Sequence, residues 1–386
     1  MRFSSRLPWS AAVNRIWQAV EERRKSGEPL LDLTQSNPTC AGFVYPDALL
    51  AALADPGVLV YEPAPAGSPA AREAIARWYS ERGYQVDPEH ILLASGTSEA
   101  YAWLFKLLCD PGDEILVPRP SYPLFDFLAG LEAIRIVHYE LRYDGRWSVD
   151  WETLRKAAGA RSRAVVVVQP NNPTGSFLTP EEIRRLAAFC AERDLPVISD
   201  EVFADYPLEA ASVPSLCRQE RVPCFVLGGL SKAVGLPQMK LSWIVAAGPA
   251  PWRAEALKRL ELVADTYLSV GTPVQCALAV LLQAGRSVGD QIRRRVRENY
   301  HRLRSRCGED SAVTVLRAEA GWYAILRVPR VRSEEQWCLE LLDRGVLVQP
   351  GYFYDFTGES YLVVSLLTPP EELTEGIERL LDLAAA

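Results

Sequence analysis

The chain of 386 residues contains no G-x-G anywhere, so the glycine fingerprint of dinucleotide-binding folds is missing, and no P-loop stands in its place. Histidine is scarce. His90, His138 and His301 lie far apart, which points away from a histidine-built metal centre and leaves no metal expected. The eight cysteines fall singly with no C-x-x-C pair, a pattern of reduced thiols in a cytoplasm rather than of a disulfide framework or a zinc site. There is no 18-residue apolar run, so no membrane span is expected. Met1–Arg6 carries two arginines without an apolar stretch behind them, and reads as no signal peptide. Lys plus Arg (42) against Asp plus Glu (49) gives −7, and a mildly acidic surface argues against nucleic acid as the main partner.

What the chain does have is an alternation of apolar runs and amphipathic stretches. Ile91–Ala94, Glu114–Val117, Ile134–Tyr139, Ala164–Gln169, Pro196–Ser199, Cys224–Leu227 and Leu241–Ala246 are strand candidates. Several are Val- and Ile-rich without alternation, as strands buried on both faces are. Between them, Ala100, Trp103, Leu104, Leu107 and Leu108 share one helical face, and Pro180 opens a second helix. This implies a three-layer α/β large domain around a mostly parallel seven-stranded sheet. The stretch between Leu227 and Leu241 is too short for a helical crossover, so the last strand should return antiparallel.

Beyond about residue 275 the texture changes. Charged helices (288–307, 333–344, 370–386) and strands (313–316, 323–328, 346–349, 361–366) predict a smaller α+β domain, with the amphipathic Val13, Ile16, Trp17 and Val20 packed on it. The expected division is 40–275 for the large domain, with 1–39 and 276–386 forming the small one.

Candidate chemistry sits at strand ends. Lys232 follows the apolar run Cys224–Leu227 in the segment Leu230–Ser231–Lys232, with Lys240 beyond it and Asp200–Glu201 upstream. An amine for a Schiff base, an acid for a pyridine nitrogen and cations for a phosphate are the parts of a pyridoxal phosphate site. Gly96–Thr97–Ser98 offers N–H groups and hydroxyls at a helix start, suited to a phosphate, although an ordinary N-cap looks the same. Asn171–Asn172–Pro173–Thr174–Gly175 follows another strand and reads either as a turn or as an amide facing a ligand.

In this order (G-T-S, N-N-P-T-G, D-E, S-K, Lys240) the motifs resemble the class I and II aminotransferases, a pyridoxal phosphate family of fold type I, from Leu31–Pro38 through Tyr352. The resemblance implies an enzyme that moves an amino group between an amino acid or amine and a keto acid. Lys232 would form the Schiff base and shuttle the substrate proton. Asp200 would pair with the pyridinium, Asn172 would reach the ring's 3′ oxygen, and Tyr122 would stack on the ring. Gly96, Thr97, Ser98, Ser231 and Lys240 would hold the phosphate, joined by Tyr61 from the neighbour in a homodimer.

Three positions depart from the family's pattern. Lys240 replaces an arginine, Phe203 a tyrosine, and Val363 the arginine that clamps the substrate carboxylate. A lysine keeps the charge without the bidentate fork. For the substrate's carboxylate, Arg119, Arg6 and Asn37 are the candidates. The valine also keeps a lyase or decarboxylase of the same fold in view, and a catalytically silent cofactor sensor is a further reading. A serine hydrolase is disfavoured. Gly229–Leu230–Ser231–Lys232–Ala233 lacks the second glycine of G-x-S-x-G, and a strand rather than a helix is expected to follow.

Overall fold

The computed structural model describes residues 3–7, 14–209, 212–268, 270–308, 311–358 and 360–386. Its large sheet has eight strands: β1 (Ile91–Ala94), β2 (Glu114–Arg119), β3 (Arg135–Tyr143), β4 (Trp147–Val149), β5 (Ser162–Val168), β6 (Val197–Asp200), β7 (Cys224–Gly229) and β8 (Ser242–Ala247). The spatial order is β1-β8-β7-β6-β5-β2-β3-β4. Strands β7, β6, β5, β2 and β3 run parallel, while β8 lies antiparallel to both β7 and β1. The seven expected strands are all present. The eighth, β4, returns from β3 through a turn at Asp144–Gly145, where Gly145 takes φ +72. Three residues are too few to show an alternation, which is why the sequence concealed it.

Side-chain alternation along the strands builds two cores. Leu92, Ile115, Val117, Val166, Ile198, Phe225 and Ile244 face the helices Thr97–Leu108 and Ala250–Tyr267. Leu93, Leu116, Val165, Val167, Val197, Val226 and Val245 face the helices Pro69–Ser80, Pro180–Ala191 and Thr272–Ala284. The helix Pro180–Ala191 starts at a Thr179/Glu182 capping box with proline in its first turn.

A second, antiparallel sheet is formed by β9 (Thr314–Val315), β10 (Tyr323–Arg327), β11 (Gln349–Pro350) and β12 (Tyr361–Ser365), in the order β9-β10-β12-β11. The helices Arg286–Arg306, Glu334–Asp343 and Pro370–Ala385 pack with it. The first helix, Arg15–Ser26, buries Ile16 and Val20 in this same core, whereas Trp17 is exposed, and Val13 lies outside the described residues. The expected boundary near residue 275 falls inside the helix Thr272–Ala284, whose Val274, Ala277, Leu278 and Leu281 belong to the large-sheet core. No helix among the described residues is long and apolar enough to cross a membrane.

Candidate active site at the carboxyl edge of the sheet

Topology brings the sequence motifs to one edge. Strands β2, β5, β6 and β7 are parallel, so the segments after them emerge together. Strand β1 reaches the same edge, because it is antiparallel to β8, which is itself antiparallel to β7. Lys240 stands there too, two residues before β8 begins.

A cavity of about 320 Å³ opens at this edge, lined among others by Thr97, Ser98, Tyr122, Asn172, Asp200, Phe203, Ser231, Lys232 and Lys240. One end gathers hydroxyls and the Lys240 ammonium beside the start of the helix Thr97–Leu108. Gly96 immediately precedes that helix, and a Cβ added to it would meet no atom within 4 Å, so space beside it is open. Hydroxyls, helix N–H groups and a cation form an anion-binding end.

Asp200 closes β6 and is buried. Burial pushes its carboxyl up to about 6, against the pull of the Val202 N–H, the Tyr101 hydroxyl and Lys232. Tyr101 donates to its Oδ2 at 3.0 Å and the Val202 N–H to its Oδ1 at 3.2 Å. Burial lowers the Lys232 ammonium, with Asp200 pulling the other way. The Lys232 Nζ lies 5.1 Å from the Trp322 ring centroid and 5.8 Å from that of Phe203, two rings packed edge to face. The Phe203 ring supplies a face but no hydroxyl. Asn172 is buried, and its Oδ1 has no hydrogen-bond partner. A buried orphan amide oxygen is costly, so this group awaits a ligand or an amide flip.

The Asp200–Glu201 pair splits in two directions. Glu201 lines a separate cavity of about 370 Å³ with Trp78, Tyr79, Arg82 and Arg293. There it accepts from the Ser199 hydroxyl and the Leu216 N–H, both at 2.8 Å. Although this second cavity is slightly larger, only the first of the two gathers Lys232 and Asp200 with the Thr97, Ser98 and Ser231 hydroxyls and Lys240.

Besides Gly96, which precedes the lining residues Thr97 and Ser98, four expected residues do not line the cavity. Arg119 ends β2 and is committed to Glu140. The Asn37 side chain caps a short turn, accepting from the Thr39 N–H and hydroxyl. Ser36, one residue earlier, lines the cavity instead. Arg6 is exposed and donates to the Leu131 carbonyl at 3.4 Å. Tyr61 is 72% exposed, next to exposed Leu59 and Val60. Val363 is fully buried in β12, opposite Ile325 and Gln349. Among the described residues, Lys232 and Lys240 are the only cations in the lining.

Tyr101 was hidden from sequence reasoning because it shares a helical turn with the buried Ala100 and Trp103 and reads as core. Trp322 and Tyr323, at the start of β10, carried no motif.

A sheet of this topology with an amine, an acid and an anion cradle at its carboxyl edge defines a transferase-like α/β enzyme. The chain belongs to the class I and II aminotransferases: the model of that family, "Aminotransferase class I and II", matches residues 26–380. The alanine aminotransferase of Mycobacterium tuberculosis (strain H37Rv) is 27% identical over 376 residues, covering 95% of this chain and 88% of the relative. The glutamate-pyruvate aminotransferase AlaA of Haemophilus influenzae is 25% identical over 373 residues, covering 92% and 91%. The solved alanine aminotransferase from Pyrococcus furiosus superposes with a TM-score of 0.90 at 25% identity over the whole of both chains. The protein is therefore an aminotransferase, acting between amino and keto acids, and these relatives do not favour the lyase or decarboxylase reading.

Proposed function

We propose that the cavity binds pyridoxal 5′-phosphate, that Lys232 is the amine condensing with its aldehyde, and that Asp200 holds its ring nitrogen protonated. The observation that carries this is that Lys232 and Asp200 line one cavity together with Thr97, Ser98, Ser231 and Lys240, hydroxyls and a cation suited to an anion. The open space beside Gly96 and the unpartnered Asn172 oxygen support the fit. When bound, the cofactor supplies an electron sink for the carbanion left by Cα deprotonation. Lys232, with its neutral amine favoured by burial, takes that proton and returns it. A cationic ring nitrogen beside Asp200 would in turn bring its carboxyl back towards the ionised form.

The test is direct. Protein saturated with pyridoxal 5′-phosphate should absorb in the visible, and borohydride should fix the label on Lys232. Lys232→Ala should abolish both, along with turnover. A colourless, unlabelled parent protein refutes the assignment.

Much of the remaining wall is aromatic or aliphatic, with Tyr122, Leu124, Phe125, Leu128, Phe203 and Tyr323 among it, and no arginine lines it among the described residues. We read this as a preference for donors with aromatic or apolar side chains, or for amines, over dicarboxylic ones. In a panel of amines and amino acids, kcat/KM for phenylalanine or an aryl amine should exceed that for glutamate by at least about tenfold. The reverse order would reject the preference while leaving the cofactor site standing.

The exposed Leu59–Tyr61 run supports a homodimer in which Tyr61 reaches the phosphate of the neighbouring site. The scattered free cysteines support a reducing compartment, the cytoplasm.

A further inference from the structure

The helix Thr97–Leu108 brings three hydroxyl-bearing residues to the cavity wall: Thr97 and Ser98 in its first turn, and Tyr101 one turn further on. Thr97 and Tyr101 are four residues apart, so they share a helix face. One rigid element therefore carries both the hydroxyls of the anion-binding end and the phenol that meets Asp200. Tyr101 is 4% exposed, and its ring packs edge to face on Phe125 at 5.2 Å and tilted on Phe105 at 5.8 Å. A phenylalanine would fill the same space. Among the described residues the hydroxyl bonds Asp200 alone, at 3.0 Å from its Oδ2.

We propose that Tyr101 is a positioning residue for the transamination: its hydroxyl fixes the plane of the Asp200 carboxylate and holds its charge opposite the cofactor's ring nitrogen. This rests on the assignment of the cavity to pyridoxal 5′-phosphate. Geometry supports it first. Each carboxylate oxygen of Asp200 takes one donor, Oδ1 the Val202 N–H at 3.2 Å and Oδ2 the Tyr101 hydroxyl. Two donors on two oxygens set the orientation of the group and leave each oxygen a lone pair for a ligand. Burial and the neighbouring carboxylate raise the Tyr101 phenol well above its usual range, so it keeps its proton and remains the donor.

Charge supports it second. A hydrogen bond donated to an ionised carboxylate favours that form. Burial drives Asp200 the other way, and the groups opposing burial are the Val202 N–H, the Tyr101 hydroxyl and Lys232. Tyr122, three residues after β2, is a further ionisable group that feels the Asp200 charge. An ionised Asp200 leaves the proton on the ring nitrogen, where the electron sink needs it.

The three supports of Asp200 differ in constancy. The charge on Lys232 comes and goes as its amine takes a proton and returns it, so its help is withdrawn during turnover. The backbone N–H and the phenol stay neutral and in place throughout. Of these two, only the phenol belongs to a side chain, and its hydroxyl is not needed for packing.

The experiment is a titration of full-length, cofactor-free parent and Tyr101→Phe with 4′-deoxypyridoxine 5′-phosphate at about pH 5.5 and pH 8. This probe keeps the ring nitrogen and the phosphate but has no aldehyde, so Lys232 cannot condense with it. Tyr101→Phe should bind it more weakly than the parent. The parent-to-variant affinity ratio should be at least about fivefold larger at the lower pH, the effect of raising the Asp200 midpoint by about one pH unit. The probe's own titrations are common to both proteins and cancel in the ratio. In the loaded enzyme, Tyr101→Phe should lower kcat at least about threefold and leave KM for the donor within about twofold. Placed on Asp200→Ala, where the hydroxyl has no carboxylate to hold, the same substitution should change kcat by less than about twofold. A smaller pH effect on the ratio overturns the proposal. So does a loss of twofold or more in the Asp200→Ala background, which would mark Tyr101 as packing alone. A parent that fails to bind the probe at about 1 mM refutes the cofactor reading itself, whereas binding that Tyr101→Phe matches at both pH values refutes this inference only.

Discussion

Adjacent carboxylates at the end of β6 show how much a single residue's direction decides. Asp200 faces the cavity and Lys232, whereas Glu201 turns into the second cavity and is held by Ser199 and Leu216. Asp200→Ala should retain cofactor but lower kcat by on the order of 100-fold or more, because the charge opposite the ring nitrogen is lost. Parent-like turnover in that variant would remove Asp200 from its proposed role. Glu201 gives a prediction about stability. Burial raises its carboxyl from 4.5 to about 7. Between those values the folded chain holds a proton that the unfolded chain has released. Stability of the cofactor-free protein should therefore fall as pH rises from about 4.5 to 7, by up to about 3 kcal/mol from this group. Glu201→Gln should flatten that slope in urea unfolding measured across the range, and an unchanged slope would assign it to other groups.

At the scale of elements, the close approach of β7 and β8 explains the two glycines ahead of Lys232. A Cβ on Gly229 would stand 2.3 Å from the Ser242 Oγ, and one on Gly228 would stand 2.5 Å from the Trp243 Nε1. The backbone of Gly229 is extended, so the demand is steric, not conformational. Gly229→Ala should cost about 1–3 kcal/mol by overpacking and also displace Lys232, so that the fall in turnover exceeds the loss of cofactor affinity. Unfolding and cofactor titrations of the variant measure the two effects separately. The antiparallel return of β8 was legible in the short spacing before it, and the helix 180–191 in its proline and capping residues. The hairpin strand β4 was not, since its three residues carry no periodicity. Arg119 also misled. Its place at the end of β2 said nothing of Glu140, which reaches it from β3 by parallel pairing of the strands.

For the whole molecule, the proposed homodimer makes a prediction that the single chain cannot satisfy. If Tyr61 serves the neighbouring site, a Tyr61→Ala variant and a Lys232→Ala variant should each be impaired alone. When refolded together they should recover about a quarter of parent activity, since half the dimers are mixed and each has one intact site. No recovery on mixing would place Tyr61 in its own chain's structure instead. Parallel pairing of β2, β5, β6 and β7, with the short antiparallel β8 between β7 and β1, explains why motifs far apart in sequence share one edge.

The sequence by itself determined the strand–helix alternation, the mostly parallel sheet and the family, because buried strands need apolar runs and cofactor chemistry needs particular groups in a particular order at strand ends. It could not show which of those groups meet. That Asp200 and Glu201 part, that Tyr101 joins Asp200 and that Arg119 is taken by Glu140 were decided only by tertiary structure. Side-chain direction and long-range pairing depend on strand register and on the packing of two sheets, neither of which is local to any stretch of chain.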